Sequence, residues 1–280
     1  MSSDIRLFTD GTPAKAIFSF GGGVQSHAVL ALAAQGRVRY DAFVFANVGN
    51  DSENPDTLEY MNSVTKPFCE RNGLTLIEVQ KSGATLRDAA MRPDRKSVLI
   101  PAYVEGGGMT PRSCTTDWKI RIIDRWCKSQ AWPHIVVGLG ISTDEWQRAR
   151  DTAWHDAYET EAGNRRPFGF WKAREYPLLN LRINRTQAHR IITEAGLPTP
   201  PKSSCYFCPF KRPGEWVEMK HQDPELFAKA VELEDSLNSK GLPHTYRLHP
   251  SRRELREAVA DQLPLFPSDD DRCDSGYCWT

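Results

Sequence analysis

A run of three glycines between two apolar stretches constrains the fold of this chain more than any other feature. Residues 14–20 read AKAIFSF and predict a short buried strand, GGGVQS follows as a tight turn, and residues 24–32 predict an apolar helix. Glycines at such a junction let the backbone approach an anion closely, and the start of the helix points its N–H groups at that anion. A ligand-free tight turn is the alternative, and the glycines alone leave both open.

Strands and helices alternate over the first eighty residues. After the first helix, residues 40–47 (YDAFVFAN) predict a second strand, residues 54–68 a helix, and residues 74–79 a third strand. Residues 134–139 (HIVVGL) predict a fourth. This alternation predicts an α/β fold, a parallel twisted sheet with flanking helices, because parallel strands are joined by crossover helices. Ligands of such sheets bind at the carboxyl ends of the strands, where the glycine turn lies.

The C-terminal part of the chain has a different composition. A proline-rich segment over residues 198–216 holds a Cys-x-x-Cys, helices are expected near residues 225–239 and 252–262, and the tail SDDDRCDSGYCWT is acidic without core periodicity. We therefore predict two domains: the α/β domain over residues 1–196, and a helical, cysteine-containing appendage over residues 197–280.

Charge and hydropathy exclude some classes of function. The 36 basic and 36 acidic side chains cancel, so bulk charge does not drive binding to nucleic acid or to an acidic membrane. Nucleic-acid binding would need a local patch, such as the basic run 241–253 with Lys211 and Arg212. No apolar run reaches the length of a membrane span, and the N-terminus lacks the apolar region of a signal peptide. We therefore expect a cytoplasmic protein with no membrane partner.

Seven cysteines in such a chain indicate metal ligands or reactive thiols rather than disulfides. Cys205 and Cys208 form a Cys-x-x-Cys between prolines, and Cys114 lies at a predicted helix start beside Arg112, where the helix dipole and the cation favour the thiolate. Three thiolates suit a [4Fe–4S] cluster with one open iron, or zinc with a fourth ligand, and the spacing does not choose between them. An unmetallated Cys-x-x-Cys is the alternative.

The other cysteines divide by context. Cys273 and Cys278 lie in the acidic tail, where they could supply a fourth ligand, a sulfur-carrying thiol or a redox pair, or be inert. Cys69 and Cys127 fall on apolar helix faces and are expected in the core.

Four segments, in order, resemble the phosphoadenosine phosphosulfate (PAPS) reductase-like group of the PP-loop adenine-nucleotide α-hydrolase superfamily. SFGGGVQS resembles its pyrophosphate-binding loop SxSGGKDS, ANVGNDSENPDTLEY its second-strand segment, GLGISTDEWQRAR its glycine–acidic–arginine segment, and YPLLNLRINRTQAHRIITEAGLP its approach to the cysteine region. The GVQS loop is similar to that of phage- and mobile-element-type members. Gly21, Val24 and Gln25 depart from the Ser, Lys and Asp of the usual loop, and the missing Lys removes a point charge for phosphate.

The resemblance implies an adenine nucleotide across the strand ends, either ATP with Mg²⁺ or a sulfonucleotide such as PAPS or adenylyl sulfate (APS). The loop would hold the pyrophosphate or sulfate end, the end of the second strand would line the adenine or ribose, and an arginine after the fourth strand would reach a phosphate. The implied nucleotide-binding residues are Ser19, Gly21, Gly22, Gly23, Gln25, Ser26, Asn47, Val48, Gly49, Gly138 and Arg148. The resemblance also favours an iron–sulfur cluster over zinc.

Three functions follow from this resemblance. The first is an ATP pyrophosphatase: a substrate oxygen attacks the α-phosphate, pyrophosphate leaves, and sulfur then displaces AMP. Its acceptor would be a nucleic acid or a small metabolite, with a sulfur-donor protein as a further partner and oligomers allowed. The second is a sulfonucleotide reductase, in which a tail thiol attacks the sulfur of PAPS or APS and sulfite is released. The third is a non-catalytic nucleotide-binding or sensor protein, which the altered loop favours. The candidate catalytic residues are Cys114, Cys273 and Cys278.

Overall fold

The structure is a computed structural model that describes residues 6–8, 10–161 and 164–259. Within these residues one six-stranded sheet forms the centre, in the order β3–β2–β1–β5–β7–β6. Its strands are β1 (Lys15–Phe20), β2 (Ala42–Asn47), β3 (Leu76–Gln80), β5 (His134–Leu139), β6 (His155–Glu161) and β7 (Asn164–Glu175). All neighbours pair in parallel except β6 and β7, which are antiparallel. This confirms the predicted α/β fold with a mostly parallel sheet.

The sheet reverses its order beside β1. Ser19 of β1 pairs with Val44 of β2 on one side and with Leu139 of β5 on the other. The chain runs from β1 outward to β2 and β3, and later returns to the opposite side of β1 to form β5. The crevice at the carboxyl ends of β1 and β5 is therefore a topological switch point, the place where ligands of open α/β sheets bind.

Helices cover both faces of the sheet. Phe18 of β1 packs in a cluster with the helices α1 (Val24–Ala34) and α8 (Arg185–Glu194). Its neighbour Ile17 packs in a second cluster with the helix α6 (Arg121–Ser129). This alternation is the two-residue period of a strand that is buried on both faces. The helices are α1 (Val24–Ala34), α2 (Pro55–Tyr60), α3 (Lys66–Arg71), α4 (Leu86–Met91), α5 (Ser113–Thr115), α6 (Arg121–Ser129), α7 (Pro177–Asn180), α8 (Arg185–Glu194), α9 (Pro213–Gln222), α10 (Pro224–Asn238) and α11 (Leu255–Ala258).

Some helical stretches are continuous across these divisions. A π-helical turn, Met61–Thr65, joins α2 to α3, and a second, Thr116–Ile120, joins α5 to α6. The segment after β5 forms a 3-10 helix over Thr143–Arg148. No helix in the described part of the chain is long and apolar enough to cross a membrane.

The hairpin of β6 and β7 is absent from the sequence prediction. Phe168 and Phe170 of β7 are buried at alternate positions, as a half-buried strand requires. The strand also carries basic residues, including the buried Lys172, which neutralises the buried Asp124 of α6 at 2.7 Å. Charged residues at buried positions obscure the alternation of apolar residues by which a strand is predicted.

The C-terminal helices share a hydrophobic core with the middle of the chain. Trp216 of α9 and Leu233 of α10 belong to the same buried cluster as Ile100 and Trp118. The short strands β4 (Tyr103–Val104) and β8 (Tyr246–Arg247) pair antiparallel across the same two regions. The described part of the C-terminal region, residues 197–259, thus contains helices and packs on residues that precede it, while the division into two domains at residue 196 stays a prediction.

Candidate functional site

The glycine turn between β1 and α1 has the geometry of an anion site. Gly22 has a φ of +79°, which favours glycine, and a Cβ there would lie 3.2 Å from Thr57 Cγ2. Gly23 precedes α1, and no side-chain hydrogen bond caps this helix. The first turn of α1 also contains no acidic residue. The first N–H groups of α1 therefore have no capping side chain, and an anion at this place would satisfy them.

Two side chains of α1 brace this turn from within. Ser26 Oγ accepts a hydrogen bond from the Gly21 N–H at 2.9 Å. The buried His27 places Nδ1 3.0 Å from Gly23 O and Nε2 2.8 Å from Thr65 Oγ1. Because a carbonyl oxygen only accepts, Nδ1 carries the proton and Nε2 accepts from the Thr65 hydroxyl. Burial lowers the pKa of His27 to about 4, so the ring is neutral near pH 7.

The sequence analysis did not identify His27 as a residue of the site. Its ring lies one helical turn after Gly23 and could be suspected from that spacing alone. Its second partner, Thr65, follows 38 residues later and is given only by the fold.

A basic cavity of about 110 Å³ opens at the switch point. Ser19 and Arg148 both line it, so the structure brings together two residues that the resemblance places on the nucleotide. The Arg148 side chain is 9% exposed, and its Nη1 donates to Glu145 Oε2 at 2.5 Å. Its buried Nε has no hydrogen-bond partner among the residues that the structure describes. A buried guanidinium N–H without an acceptor is costly, and an anionic ligand would provide one.

The electrostatics of this cavity favour an anion. Four basic side chains and one carboxylate line it: Arg148, Arg150, Lys172, Arg174 and Asp124. Gln25 couples the cavity to the glycine turn, because its Nε2 lies 3.5 Å from the same Glu145 oxygen that holds Arg148. The glycine turn and the arginine segment, which are 120 residues apart in the sequence, thus contact each other through Gln25 and Glu145.

The loop after β2 is organised by its own hydrogen bonds. The buried Asn47 donates from Nδ2 to Asn50 Oδ1 at 2.9 Å and to Glu78 Oε1 at 2.8 Å. Its Oδ1 accepts from the Gly49 N–H at 2.8 Å. Both donor hydrogens of the amide are therefore used within the protein.

Packing explains two of the glycines that the resemblance assigns to the nucleotide. Gly49 has a φ of +126°, and a Cβ there would lie 2.5 Å from Thr85 Cβ. Gly138 lies inside β5, where a Cβ would lie 2.5 Å from Tyr40 Oη. Val48 is buried in the core shared with the C-terminal helices. Contacts of Asn47, these two glycines and Val48 with a nucleotide stay predictions.

The cysteine segment, which contains Ser203, Cys205 and Cys208, passes close to the glycine turn. A Cβ on Gly23 would lie 3.0 Å from Ser203 Oγ, two residues before Cys205. Cys205 forms an isolated β-bridge with Glu53, and Asn54 N donates to Ser204 O at 3.1 Å. The Cys-x-x-Cys is thereby held next to the proposed phosphate site.

The three predicted ligand thiols lie near one another. Burial, with a contribution from the Glu53 carboxylate, raises the pKa of Cys205 well above its usual range, and Cys208 and Cys114 are close enough to add to this effect. Among the described cysteines, none of the three forms a disulfide. Among the described residues, no three His, Cys, Asp or Glu side chains are arranged to hold a metal ion. The shared metal site therefore stays a prediction.

The surroundings of these thiols fit an anionic, thiolate-held group. Lys119 and Lys211 are both buried and lie within electrostatic range of Cys205. Burial lowers the pKa of Lys211, and the nearby Glu215 and thiols oppose this shift. Cys114 lies in α5 beside Arg112, whose guanidinium is 5.3 Å from the centre of the Phe210 ring. Cys273 and Cys278 lie outside the described residues.

The basic run 241–253 does not form an open basic strip. Arg247 lies 3.8 Å from Glu234 and 3.6 Å from Glu254, and His249 is buried. Burial lowers the pKa of His249. The positive charge that this run could offer to a polynucleotide backbone is thus partly neutralised.

Comparison with known proteins finds a similarity in structure but no match in sequence. No protein-family model matches the chain, and no curated protein matches it. Among solved structures, the chain is similar to the U34-tRNA thiolase NcsA from Methanococcus maripaludis with its [4Fe–4S] cluster. The two are 14% identical with a TM-score of 0.44, over 85% of this chain and 74% of that chain.

Proposed function

We propose that this protein is a PP-loop ATP pyrophosphatase of the PAPS reductase-like kind, which activates an acceptor by adenylation for sulfur transfer. The observation that carries the proposal is the uncapped glycine turn, which adjoins a basic cavity at the switch point and the thiol-bearing segment. Backbone donors, a buried arginine and neighbouring thiols suit a reaction that joins phosphate chemistry to sulfur chemistry.

In the first half of this reaction the acceptor is adenylated, and different groups of the protein assist this step. An acceptor oxygen attacks the α-phosphorus of ATP, and the bond from that phosphorus to the bridging oxygen breaks. The N–H groups at the start of α1 stabilise the departing pyrophosphate, and Arg148 offers its unpaired Nε to a phosphate oxygen. Mg²⁺ that accompanies ATP would neutralise part of the phosphate charge.

In the second half, sulfur forms a bond to the acceptor atom that carries the adenylate. The bond from that atom to oxygen breaks, and AMP leaves with the oxygen. The acceptor is a nucleic acid or a small molecule, and the sulfur donor is a further partner. Cys114, Cys205 and Cys208 would hold a [4Fe–4S] cluster, or zinc as the alternative, and the metal would supply a site that binds the sulfur to be transferred.

Product analysis tests the proposal directly. The protein is incubated with ATP or with PAPS, and pyrophosphate and sulfite are measured. We expect pyrophosphate from ATP in the presence of an acceptor, and a loss of that product in Gly22→Val. Sulfite from PAPS would instead identify a sulfonucleotide reductase that uses a tail thiol, and would overturn the proposal.

A second candidate is a nucleotide-binding protein without turnover. Val24 and Gln25 stand where the usual loop has Lys and Asp, and the Gln25 amide contacts Glu145. This candidate predicts tight binding of ATP with neither product in the same assay.

Metal analysis tests the thiol site separately. After anaerobic purification we expect iron and sulfide in the wild type and their loss in Cys205→Ser. The matched control is Cys69→Ser, since Cys69 is also buried but packs in a different cluster of hydrophobic core residues. Full metal content in Cys205→Ser would reject a site shared by the three cysteines.

A further inference from the structure

A shallow groove of about 360 Å³ lies on the loop that follows α4, and we call it the 92–97 groove. Its lining shares no residue with the basic cavity at the switch point. The preceding helix, α4, begins next to the loop after β2, since the Leu86 N–H donates to Val48 O at 2.8 Å. The six residues of α4 span about 9 Å. The groove is therefore separated by one short helix from the edge of the sheet that carries the proposed nucleotide site.

The lining of the 92–97 groove contains more positive than negative charge. It consists of Arg92, Asp94, Arg95, Lys96 and Ser97, so three cationic side chains and one carboxylate give it a net charge of +2. Arg92 donates from Nε and Nη2 to the two oxygens of Asp94 at 3.0 and 2.5 Å, so these two charges offset each other. Arg95 and Lys96 form no ion pair within the described part of the chain. Their charges are therefore open to an anion from outside the protein.

Two buried polar groups at this groove also lack a compensating partner. The Arg95 Nε is buried and has no hydrogen-bond acceptor among the described residues. Lys240 is 5% exposed, and its Nζ donates to the Ala90 carbonyl oxygen. Burial and the nearby Arg95 charge lower the pKa of Lys240, and Asp94 opposes this shift. An anion in the groove would accept a hydrogen bond from Arg95 and would stabilise the charged form of Lys240.

The open shape of the groove indicates the kind of anion that it binds. Four of its five lining residues are exposed, so water screens the charges and a small free anion would be held weakly. A phosphodiester within a longer chain needs no enclosure, because many such contacts act together on one polynucleotide. Arginine and lysine side chains are the usual partners of backbone phosphates.

We propose that the 92–97 groove binds a backbone phosphate of a polynucleotide through Arg95 and Lys96. A strand advances about 3.4 Å per nucleotide, so about three nucleotides cover the length of α4 and reach the loop after β2. The net charge of the chain is zero, so a local patch of this kind is what nucleic-acid binding requires. The polynucleotide is then the acceptor, and this identification rests on the proposed function, whereas the binding itself does not.

Binding of labelled nucleic acid to the full-length protein tests the inference. Fluorescence anisotropy measures the affinity for fluorescein-labelled RNA and DNA hairpins of one mixed sequence, between about 50 and 200 mM salt. We expect Arg95→Gln and Lys96→Gln each to weaken the binding of at least one hairpin by about threefold or more. Each should also reduce the slope of log affinity against log salt concentration by about 1, because one phosphate contact is lost. The hairpin that responds shows whether the backbone is RNA or DNA.

The matched control is Arg71→Gln, which removes the same charge elsewhere. Arg71 is exposed at the end of α3, forms no ion pair within the described residues and does not line the groove. Its affinity and salt slope should equal those of the wild type, and unchanged melting temperatures should show that each variant is folded.

Three results would overturn the inference. The wild type could bind neither hairpin, or all three variants could show the slope of the wild type. In a calorimetric titration with inorganic phosphate, Arg95→Gln could lose phosphate binding while its hairpin affinity is unchanged, which would identify a free anion as the ligand. Failure of the proposed function is distinct, because hairpin binding needs no ATP: pyrophosphate release would be absent while these binding results held.

Discussion

The turn after β1 and the loop after β2 end at the same edge of the sheet, yet they use their polar groups in opposite ways. The first N–H groups of α1 have no capping side chain. In the loop after β2, both amide hydrogens of Asn47 are donated to Asn50 and Glu78, and Gly49 is packed against Thr85. The first region has donors to offer a ligand, whereas the second consumes its own donors to hold its shape.

This difference shows that polar or glycine residues at the end of a strand can be required for two reasons, ligand binding or packing. Glycine is needed at the turn because of the positive φ of Gly22, whereas a side chain at Gly23 would reach the rotatable Ser203 hydroxyl. It is needed at Gly49 because neighbouring side chains fill the space of a Cβ. Substitutions in the first region should therefore reduce binding, and substitutions in the second should reduce stability.

The largest effect is expected for Gly49→Ala. The new Cβ would lie 2.5 Å from Thr85 Cβ and 2.8 Å from Asp51 Oδ1, at a φ of +126°. We expect a loss of about 4 kcal/mol in the free energy of unfolding, measured by urea denaturation, because both overpacking and backbone strain act there. The control Gly83→Ala has a φ of +86° with nothing within 4 Å, and should cost only about 1 kcal/mol. Similar losses in both variants would show that packing at Gly49 is unimportant.

A pH-dependent effect of intermediate size is expected for His27, which braces the turn. Its pKa is about 4 in the folded protein and near 6.5 when exposed, so the unfolded state binds the additional proton between these values. The contribution is complete above pH 6.5 and is lost as the pH falls, by about 3 kcal/mol at pH 4. Unfolding free energies of the wild type and His27→Gln, compared from pH 7 to 4, measure it. Parallel curves for the two proteins would contradict the neutral, buried ring.

The smallest effect is expected for Asn47→Ala. The substitution removes the partner of the Gly49 N–H and of Glu78, which should cost about 2 kcal/mol of stability. Affinity for ATP, measured by calorimetry where the variant is fully folded, should stay within about threefold of the wild type, since no amide hydrogen is left for a ligand. A large loss of affinity with unchanged stability would show that Asn47 belongs to the binding site, and would contradict the contrast between the turn after β1 and the loop after β2.

The sequence predicts more of the fold than of the site. Four of the five parallel strands, β1, β2, β3 and β5, follow from apolar runs between helices. The β6–β7 hairpin lacks that pattern, since Lys172 occupies a buried position and is tolerated only through its contact with Asp124 of another element. A local pattern cannot contain a partner that lies 48 residues away.

The same distinction between local pattern and tertiary contact applies to the residues of the site. The glycine turn and the segment that contains Arg148 are visible as motifs, and the structure places Ser19 and Arg148 in one cavity. Ser203 belongs to none of the four resembling segments, because it reaches the turn only when the segment that contains the Cys-x-x-Cys folds across the start of α1. Thr65, the partner of His27, is likewise supplied by tertiary structure.

The central claim is that the glycine turn holds the phosphate end of an adenine nucleotide, and calorimetric titration of ATP into the wild type and Gly23→Val tests it most directly. Gly23 has an extended backbone that any residue adopts, so valine should leave the fold intact while its methyl groups occupy the approach beside Ser203. The account predicts that the wild type binds ATP and that the variant, at an unchanged melting temperature, binds it at least about tenfold more weakly. Equal affinity of the two folded proteins for ATP would contradict it.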